Sequence, residues 1–344
     1  RKLIGKPTER RGLLSLPTGA GKTRVAVEAL VNAMADGAVT SPVLWVAQTE
    51  ELCEQAVQCW AEVWRAVGPE RSLQVSRLWG GRQAVRREDE GDQVVVATIA
   101  QLDAGCMDNN DYDWLSEAGS IVVDEAHTSI TPSWTRLLRW TGVDRKPTHA
   151  PLIGLSATPF RGVSPEQTQR LVARYGGCRL DDGIFEEKVS IPLLQRQRIL
   201  ARVEHQILAG MENVPLDEAE REHFKTYRSI PPSVREKIGR DLDRTNRLVE
   251  SVASQPGDWP VLIFAASVSH AETLAALIAR RGRTAAAVSS GTDPGMRRHL
   301  ISEFRSGRLQ TLTNYGVLTQ GFDAPSIRVL YIARPTYSPN LYLQ

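Results

Sequence analysis

No segment of this 344-residue chain approaches the roughly 18 to 20 uninterrupted apolar residues that a membrane span needs, so no partnership with a membrane is expected. Cysteine is scarce. The four present, Cys53, Cys59, Cys106 and Cys178, form no CxxC pair and no metal-ligand spacing. They read as reduced, mostly buried thiols, which favours a cytoplasmic setting. An excess of one charge is also missing: the net charge is +2, so electrostatics alone do not announce a nucleic-acid partner. There is no low-complexity tract and no short repeat. No signal peptide is visible, although a chain that opens at Arg1 leaves room for a removed leader.

What is present is the balance of a globular protein, with 42% apolar and 24% charged residues and length enough for two domains. Apolar runs at 43–47, 93–98, 120–124 and 151–157 read as strands. They do not alternate with polar residues, which suits strands buried on both faces of a parallel sheet. Residues 22–36 predict a helix with Val25, Ala26, Ala29, Leu30, Ala33 and Met34 on one side and Gly37 as its stop. Thr49 caps a second helix, with Glu50 and Glu51 in its first turn and Leu52, Ala56, Trp60 and Trp64 at helical spacing. Residues 160–257 are richer in charge and helix formers, with a long amphipathic run from Val234 to Ser254. From Pro260 the rhythm returns, with strands expected in 261–266, 283–289, 309–313 and 328–333. The expected organisation is an α/β domain over 1–160, a helical connecting region over 161–257 and a second α/β domain over 258–344.

Three stretches carry chemistry. "LSLPTGAGKT", Leu14 to Thr23, ends like a phosphate-binding loop, although Leu16 stands where the first glycine belongs. Thr18, Gly19, Ala20 and Gly21 let backbone N–H groups wrap phosphates ahead of a helix, Lys22 reaches the β- and γ-phosphates, and Thr23 offers a hydroxyl to Mg²⁺. In "IVVDEAHT" an apolar strand runs into two adjacent acids, where open parallel sheets bind ligands. There Asp124 holds the metal and Glu125 polarises the attacking water, because a buried acid pair is costly without a cation. In "LSATP" small hydroxyl residues, Ser156 and Thr158, follow another apolar strand and are placed to bond to neighbouring acids.

"LPTGAGKT", "VVDEAH" and "LSATP", in that order, resemble motifs I, II and III of superfamily 2 helicases of the DEAH/DExH type. In that family the loop does not need the first glycine, so Leu16 marks the family. Residues 43–55 look like motif Ia, 94–102 like motif Ib, 261–275 like motif IV and 312–325 like motif V. The resemblance implies two RecA-like P-loop domains holding ATP and Mg²⁺ between them, with cleft opening and closing that ratchets them along a strand. It implies catalytic roles for Lys22, Asp124 and Glu125, a relay role for His127, and coupling roles for Ser156 and Thr158. Gly321 and Asp323 would sit near the ATP ribose. Thr49, Gly80, Gly81, Thr98 and Thr319 would face the nucleic-acid backbone. Gln320 departs from the glutamate of many relatives.

The family's arginine-bearing motif VI begins at Gln344, and its adenine-reading segment lies before Arg1. The resemblance therefore implies a fragment whose second domain is truncated, binding ATP weakly and hydrolysing it poorly. A fused nuclease or methylase after Gln344 is left open. Arg334 aligns with the strand end before motif VI and is no substitute for its arginines. The S-A-T-P-x-R form ending at Arg161 looks most like restriction-enzyme motor subunits and related bacterial repair and defence helicases, which tilts the substrate toward duplex DNA.

Two other readings stay open. One is an RNA helicase of the DEAH/DExH group; the other is a P-loop ATPase switch that never engages nucleic acid. Among isolated features, Trp60 and Trp64 read as core, and Cys53 and Cys59 as thiols on different helix faces. His205, His223, His270 and His299 take surface or packing roles. Arg77 reads as part of a solvated face; Arg82, Arg86 and Arg87, after the Gly80–Gly81 turn, compete between that reading and phosphate contact.

Overall fold

A computed structural model of the chain describes residues 10–89, 91–144, 148–157, 165–182, 191–208, 214–227, 229–318 and 326–335. Its contacts divide it into two units, Arg1–Arg202 and Val203–Gln344. The region 161–257 is shared between them, with the break at Arg202.

In the first unit the chain runs β1 (Arg11–Ser15), α1 (Lys22–Ala35), β2 (Val43–Ala47), α2 (Glu50–Val67), β3 (Leu73–Leu78) and β4 (Asp92–Thr98). It continues through α3 (Ile99–Gln101), α4 (Asp113–Ser116), β5 (Ser120–Val123), α5 (Pro132–Trp140), β6 (Leu152–Ser156), α6 (Pro165–Arg174) and α7 (Ile191–Arg196). The six strands form one parallel sheet in the order β1-β6-β5-β2-β4-β3. Successive residues of the central strands feed opposite layers: Leu44 and Val46 pack with Trp134 and Leu137, while Val43 and Trp45 pack with Leu30 and Trp60. Burial on both faces removes any polar side and produces the unbroken apolar runs seen in the sequence. Each such large side chain contributes about 1.5–3 kcal/mol by leaving water. Trp45 and Trp60 meet edge to face, with ring centroids 6.4 Å apart.

Two strands escaped the sequence reading. β1 precedes the phosphate-binding loop, and its outer edge is covered by residues 178–181: Leu13 N donates to Cys178 O (2.9 Å) and Leu180 N to Leu13 O (2.9 Å). Covering that edge shields a row of unpaired backbone groups. β3 lies at the other edge, half-exposed and partly polar, so it lacks the apolar signature. Helix α1 matches its expected span, but its buried arc is Ala26, Val27, Leu30, Val31, Ala33 and Met34. Val25 and Ala29 lie on the exposed side, so their expected inward placement is corrected by one position of helical phase. Gly37, at φ 68°, takes the left-handed turn that stops the helix.

The second unit runs α8 (Glu218–Tyr227), α9 (Pro232–Gly239), α10 (Leu242–Ala253), β7 (Val261–Phe264), α11 (Val268–Arg280) and β8 (Ala285–Ser289), then α12 (Pro294–Arg305), β9 (Thr311–Tyr315) and β10 (Val329–Ile332). Its four strands are parallel in the order β10-β7-β9-β8. Two parallel α/β units are the fold class expected from the sequence. The amphipathic run from Val234 is not one helix, however. It breaks after Gly239, because Asp241 accepts from Arg244 N (3.1 Å) and caps a new helix. Leu248, Val249 and Val252 of α10 then pack with Val261, Ile263 and Leu274 in the core of this unit.

Candidate nucleotide site

The loop between β1 and α1 turns at Gly19 (φ 78°) and Gly21 (φ 82°), conformations that a side chain disfavours. Leu16 is buried and packs with Leu14 and Val27, so the residue in the missing-glycine position anchors the loop to the core. Thr18 and Gly19 are exposed, and Ala20, Lys22 and Thr23 are half-buried at the mouth of α1. Ala20 N donates to Pro17 O (3.1 Å), closing the turn. The Lys22 ammonium lies 3.5 Å from Pro17 O, folded back onto its own loop. Burial lowers its pKa, opposed first by Glu125 and then by Asp124, so the lysine shares a field with both acids.

Those acids stand at the C-terminal end of β5, in the middle of the sheet. Asp124 is buried, its N–H donates to Val46 O (2.8 Å), and its Oδ1 accepts from Glu125 N (3.0 Å). Burial and then the neighbouring Glu125 push its carboxyl up to about 7, with Lys22 pulling the other way. Glu125 is also buried and adopts a left-handed backbone, φ 50° and ψ 51°. For a residue that is not glycine this conformation costs about 1–3 kcal/mol, and such outliers cluster at active sites. Thr128 N and Thr128 Oγ1 both donate to Glu125 O (2.9 Å each), fastening the turn.

Glu125 Oε2 is buried without a hydrogen bond, although His127 Nδ1 lies 3.2 Å away as an ion-pair neighbour. The same His127 Nδ1 is 3.2 Å from the buried Ser156 Oγ at the end of β6. The structure thus brings together Lys22, Asp124, Glu125, His127 and Ser156, five of the residues singled out from sequence. Two buried carboxylates facing one lysine leave a deficit of positive charge, which fits a divalent cation. Among the described residues no group of three or more His, Cys, Asp and Glu side chains is arranged to hold a metal ion by itself. That donor set suits Mg²⁺, which is held by one or two carboxylates and completes its shell with phosphates and water, and does not suit zinc. Asp124 and Thr23 are the residues that would hold it.

The other expected residues fall elsewhere in the first unit. Thr49 caps α2, accepting from Leu52 N (3.3 Å), and Thr98 caps α3, accepting from Gln101 N (3.3 Å). Gly80 and Gly81 are exposed and left-handed (φ 59° and 80°), with open space around Gly81. Arg82 lies over the Trp79 ring at 5.8 Å. Arg87 is committed internally, to Asp89, Ser72 O (3.0 Å) and Asp92 O (3.0 Å), and Arg77 to Glu54 (3.0 Å). Thr158, Thr319, Gly321 and Asp323 lie outside the described residues.

Sequence reasoning missed the lock behind the acid-bearing turn. Tyr175 is buried, its hydroxyl donates to Ser129 Oγ (3.2 Å), and Arg174 donates to Ser129 O and to Thr135 Oγ1 (2.8 Å). Gly154 on β6 leaves the room that Tyr175 fills, since a Cβ there would lie 2.6 Å from the ring. The apolar and aromatic spacing of Leu171, on α6, and Tyr175, just past its end, was the available signal.

Residues 2–161 match the family described as "Type III restriction enzyme, res subunit", and residues 243–344 match the "Helicase conserved C-terminal domain". Together the two matches support a superfamily 2 helicase related to restriction-enzyme motor subunits. This helicase chain is 24% identical over 263 residues to IRC3 of Saccharomyces cerevisiae, named as an ATP-dependent helicase, covering 74% of the chain and 34% of that protein. It is 25% identical over 324 residues to irc3 of Schizosaccharomyces pombe, named as a mitochondrial ATP-dependent helicase, covering 94% of the chain and 48% of the relative. The helicase chain therefore spans between a third and a half of the length of these relatives. Among solved structures, Saccharomyces cerevisiae Dbp5 bound to RNA and ADP BeF3 superposes with a TM-score of 0.62 at 16% identity, covering 97% of this chain and 74% of that one. At that identity the likeness is one of fold.

Proposed function

We propose that this helicase chain is the ATP-driven engine of a motor on DNA, coupling hydrolysis to translocation or strand separation. The observation that carries the reading is the meeting of Lys22, Asp124 and Glu125 in one buried field at the end of β5, with Glu125 held in a strained turn. In this reading the turn from Thr18 to Gly21 wraps the phosphates, and Lys22 neutralises charge on the transferred phosphoryl. Asp124 and Thr23 would hold Mg²⁺, which when bound would neutralise phosphate charge. Glu125 orients and polarises water, its Oε2 lying beside His127 and accepting no hydrogen bond. His127, bridging toward Ser156, reports the state of the site to the coupling segment that includes Thr158. Gly321 and Asp323 complete the nucleotide set.

On the nucleic-acid side we assign Gly80 and Gly81, exposed and able to approach a backbone closely, together with Thr49, Thr98 and Thr319. The match of residues 2–161 to a restriction-enzyme motor family supports DNA over RNA. The test is ATP turnover with no nucleic acid, single-stranded DNA, duplex DNA and RNA. Stimulation by DNA supports the reading. Stimulation by RNA alone reassigns the chain to the RNA helicases, and indifference to all three favours a nucleotide switch.

A further inference from the structure

At the C-terminal end of the second sheet, three neighbouring strands gather positive charge. β10, β7 and β9 lie side by side, with Ile332 opposite Phe264 and Phe264 opposite Asn314. Just past these ends, Ala333 N donates to Phe264 O (2.9 Å), which places Arg334 over the Phe264 ring at 5.1 Å. Arg235, from α9, reaches the same place and donates to the Tyr315 hydroxyl at the end of β9 (3.2 Å). Arg244, from the first turn of α10, donates to Ala333 O (2.7 Å), while its Nη1 is buried with no hydrogen bond.

Among the described residues neither Arg235 nor Arg334 has a carboxylate in ion-pair range. Two acids of the same helices are engaged elsewhere: Asp241 caps α10, and Glu236 accepts from Ser269 (3.0 Å). Arg334 is half-buried, and its pKa is lowered by burial and then by Arg235, so the two guanidiniums feel each other. Like charges brought together at strand ends, with no carboxylate in ion-pair range among the described residues, are the arrangement that an anion completes. The end of a parallel sheet is also where such folds bind ligands. The chemistry selects the anion. Guanidinium forks match phosphate oxygens, and Tyr315, which accepts from Arg235, keeps its own proton to donate.

We propose that Arg235 and Arg334, with the Tyr315 hydroxyl, form a subsite for a backbone phosphate of a nucleic-acid strand. The proposal rests on the reading of the chain as a nucleic-acid motor and adds a binding position to it.

Anisotropy of a labelled thymidine oligonucleotide and of a labelled uridine oligonucleotide, across a salt series, tests this on the full chain. Arg235→Ala and Arg334→Ala are each expected to weaken binding about tenfold or more and to shallow the salt slope by about 0.7 for each phosphate no longer neutralised. Arg280→Ala, exposed at the end of α11, is the control that leaves both unchanged. Lysine at either position restores much of the affinity, which keeps the test valid where an alanine variant loses its fold. Binding of a fluorescent ATP analogue stays at the wild-type level throughout. Variants that bind the oligonucleotides as wild type does, with the same slope, overturn the subsite. So do variants that lose the ATP analogue and keep the oligonucleotides, since the phosphate is then the nucleotide's. A wild-type chain that binds ATP and no oligonucleotide at low salt overturns the motor reading itself, and the subsite with it.

Discussion

The two units share a construction and differ in what they place at the same position. Each is a parallel sheet with helices on both faces, and each gathers ionisable side chains beyond its strand ends. In the first unit the strand ends carry two buried carboxylates and one lysine, a set short of positive charge. In the second they carry Arg235, Arg244 and Arg334, and among the described residues neither Arg235 nor Arg334 has a carboxylate in ion-pair range. The sheet supplies the place, and the residues supplied there set the sign of the charge that a ligand would have to balance.

The largest expected effect that tests this contrast is on turnover. Glu125→Gln keeps the volume and loses the charge, so hydrolysis should fall by about 10²–10⁴-fold while ATP still binds, read by steady-state phosphate release beside a binding titration. An equal loss of binding would mean that Glu125 holds the nucleotide, and the assignment of chemistry to it would fail.

Next in size is a stability effect confined to the first unit. Trp60 is fully buried against Trp45, so Trp60→Ala should cost about 3–5 kcal/mol. Seven of the eight tryptophans lie in this unit, so fluorescence-detected unfolding follows it and Trp259 alone reports on the second. A variant that melted at the wild-type temperature would remove Trp60 from the core.

A smaller effect separates the units by the sign of their response to pH. In the ligand-free first unit Asp124 is raised from an ordinary carboxyl to about 7. The unfolded chain ionises there first, so stability is present at low pH and is lost as pH rises from about 4 to 7. His270 in the second unit does the reverse. It is buried, its Nδ1 accepts from Ala266 N (3.2 Å), and burial and then Arg244 lower it to about 4. The unfolded chain protonates there first, so stability is lost as pH falls from about 6.5 to 4. Denaturant melts followed through that range should show the two transitions moving in opposite directions. Asp124→Asn should flatten the first and His270→Gln the second; parallel movement in the wild type would contradict both environments.

Much of this was legible in sequence where one residue determines one local event. Thr49 announced a cap and made it, Gly37 announced a stop, and the strands buried on both faces showed as apolar runs because nothing polar could sit on either side. β3 was hidden because an edge strand keeps polar residues, and the 178–181 segment because its pairing with β1 is long-range. The break at Gly239 to Asp241 was written in the residues but obscured by the amphipathic period running through it. For the nucleotide site, the residue types and order were readable, whereas the left-handed turn at Glu125 depends on Thr128 and the packing behind it. The arginine cluster was unreadable, since Arg235, Arg244 and Arg334 are far apart in the chain and meet only through strand order.

The most direct measurement is equilibrium binding of ATP to the full chain, with and without Mg²⁺, comparing wild type with Lys22→Ala and Glu125→Gln. A lysine, an aspartate and a glutamate converging on one metal-bound triphosphate predict Mg²⁺-dependent binding by wild type and Glu125→Gln, weakened at least about tenfold in Lys22→Ala. Binding that ignores Mg²⁺, or that survives intact without Lys22, would contradict it.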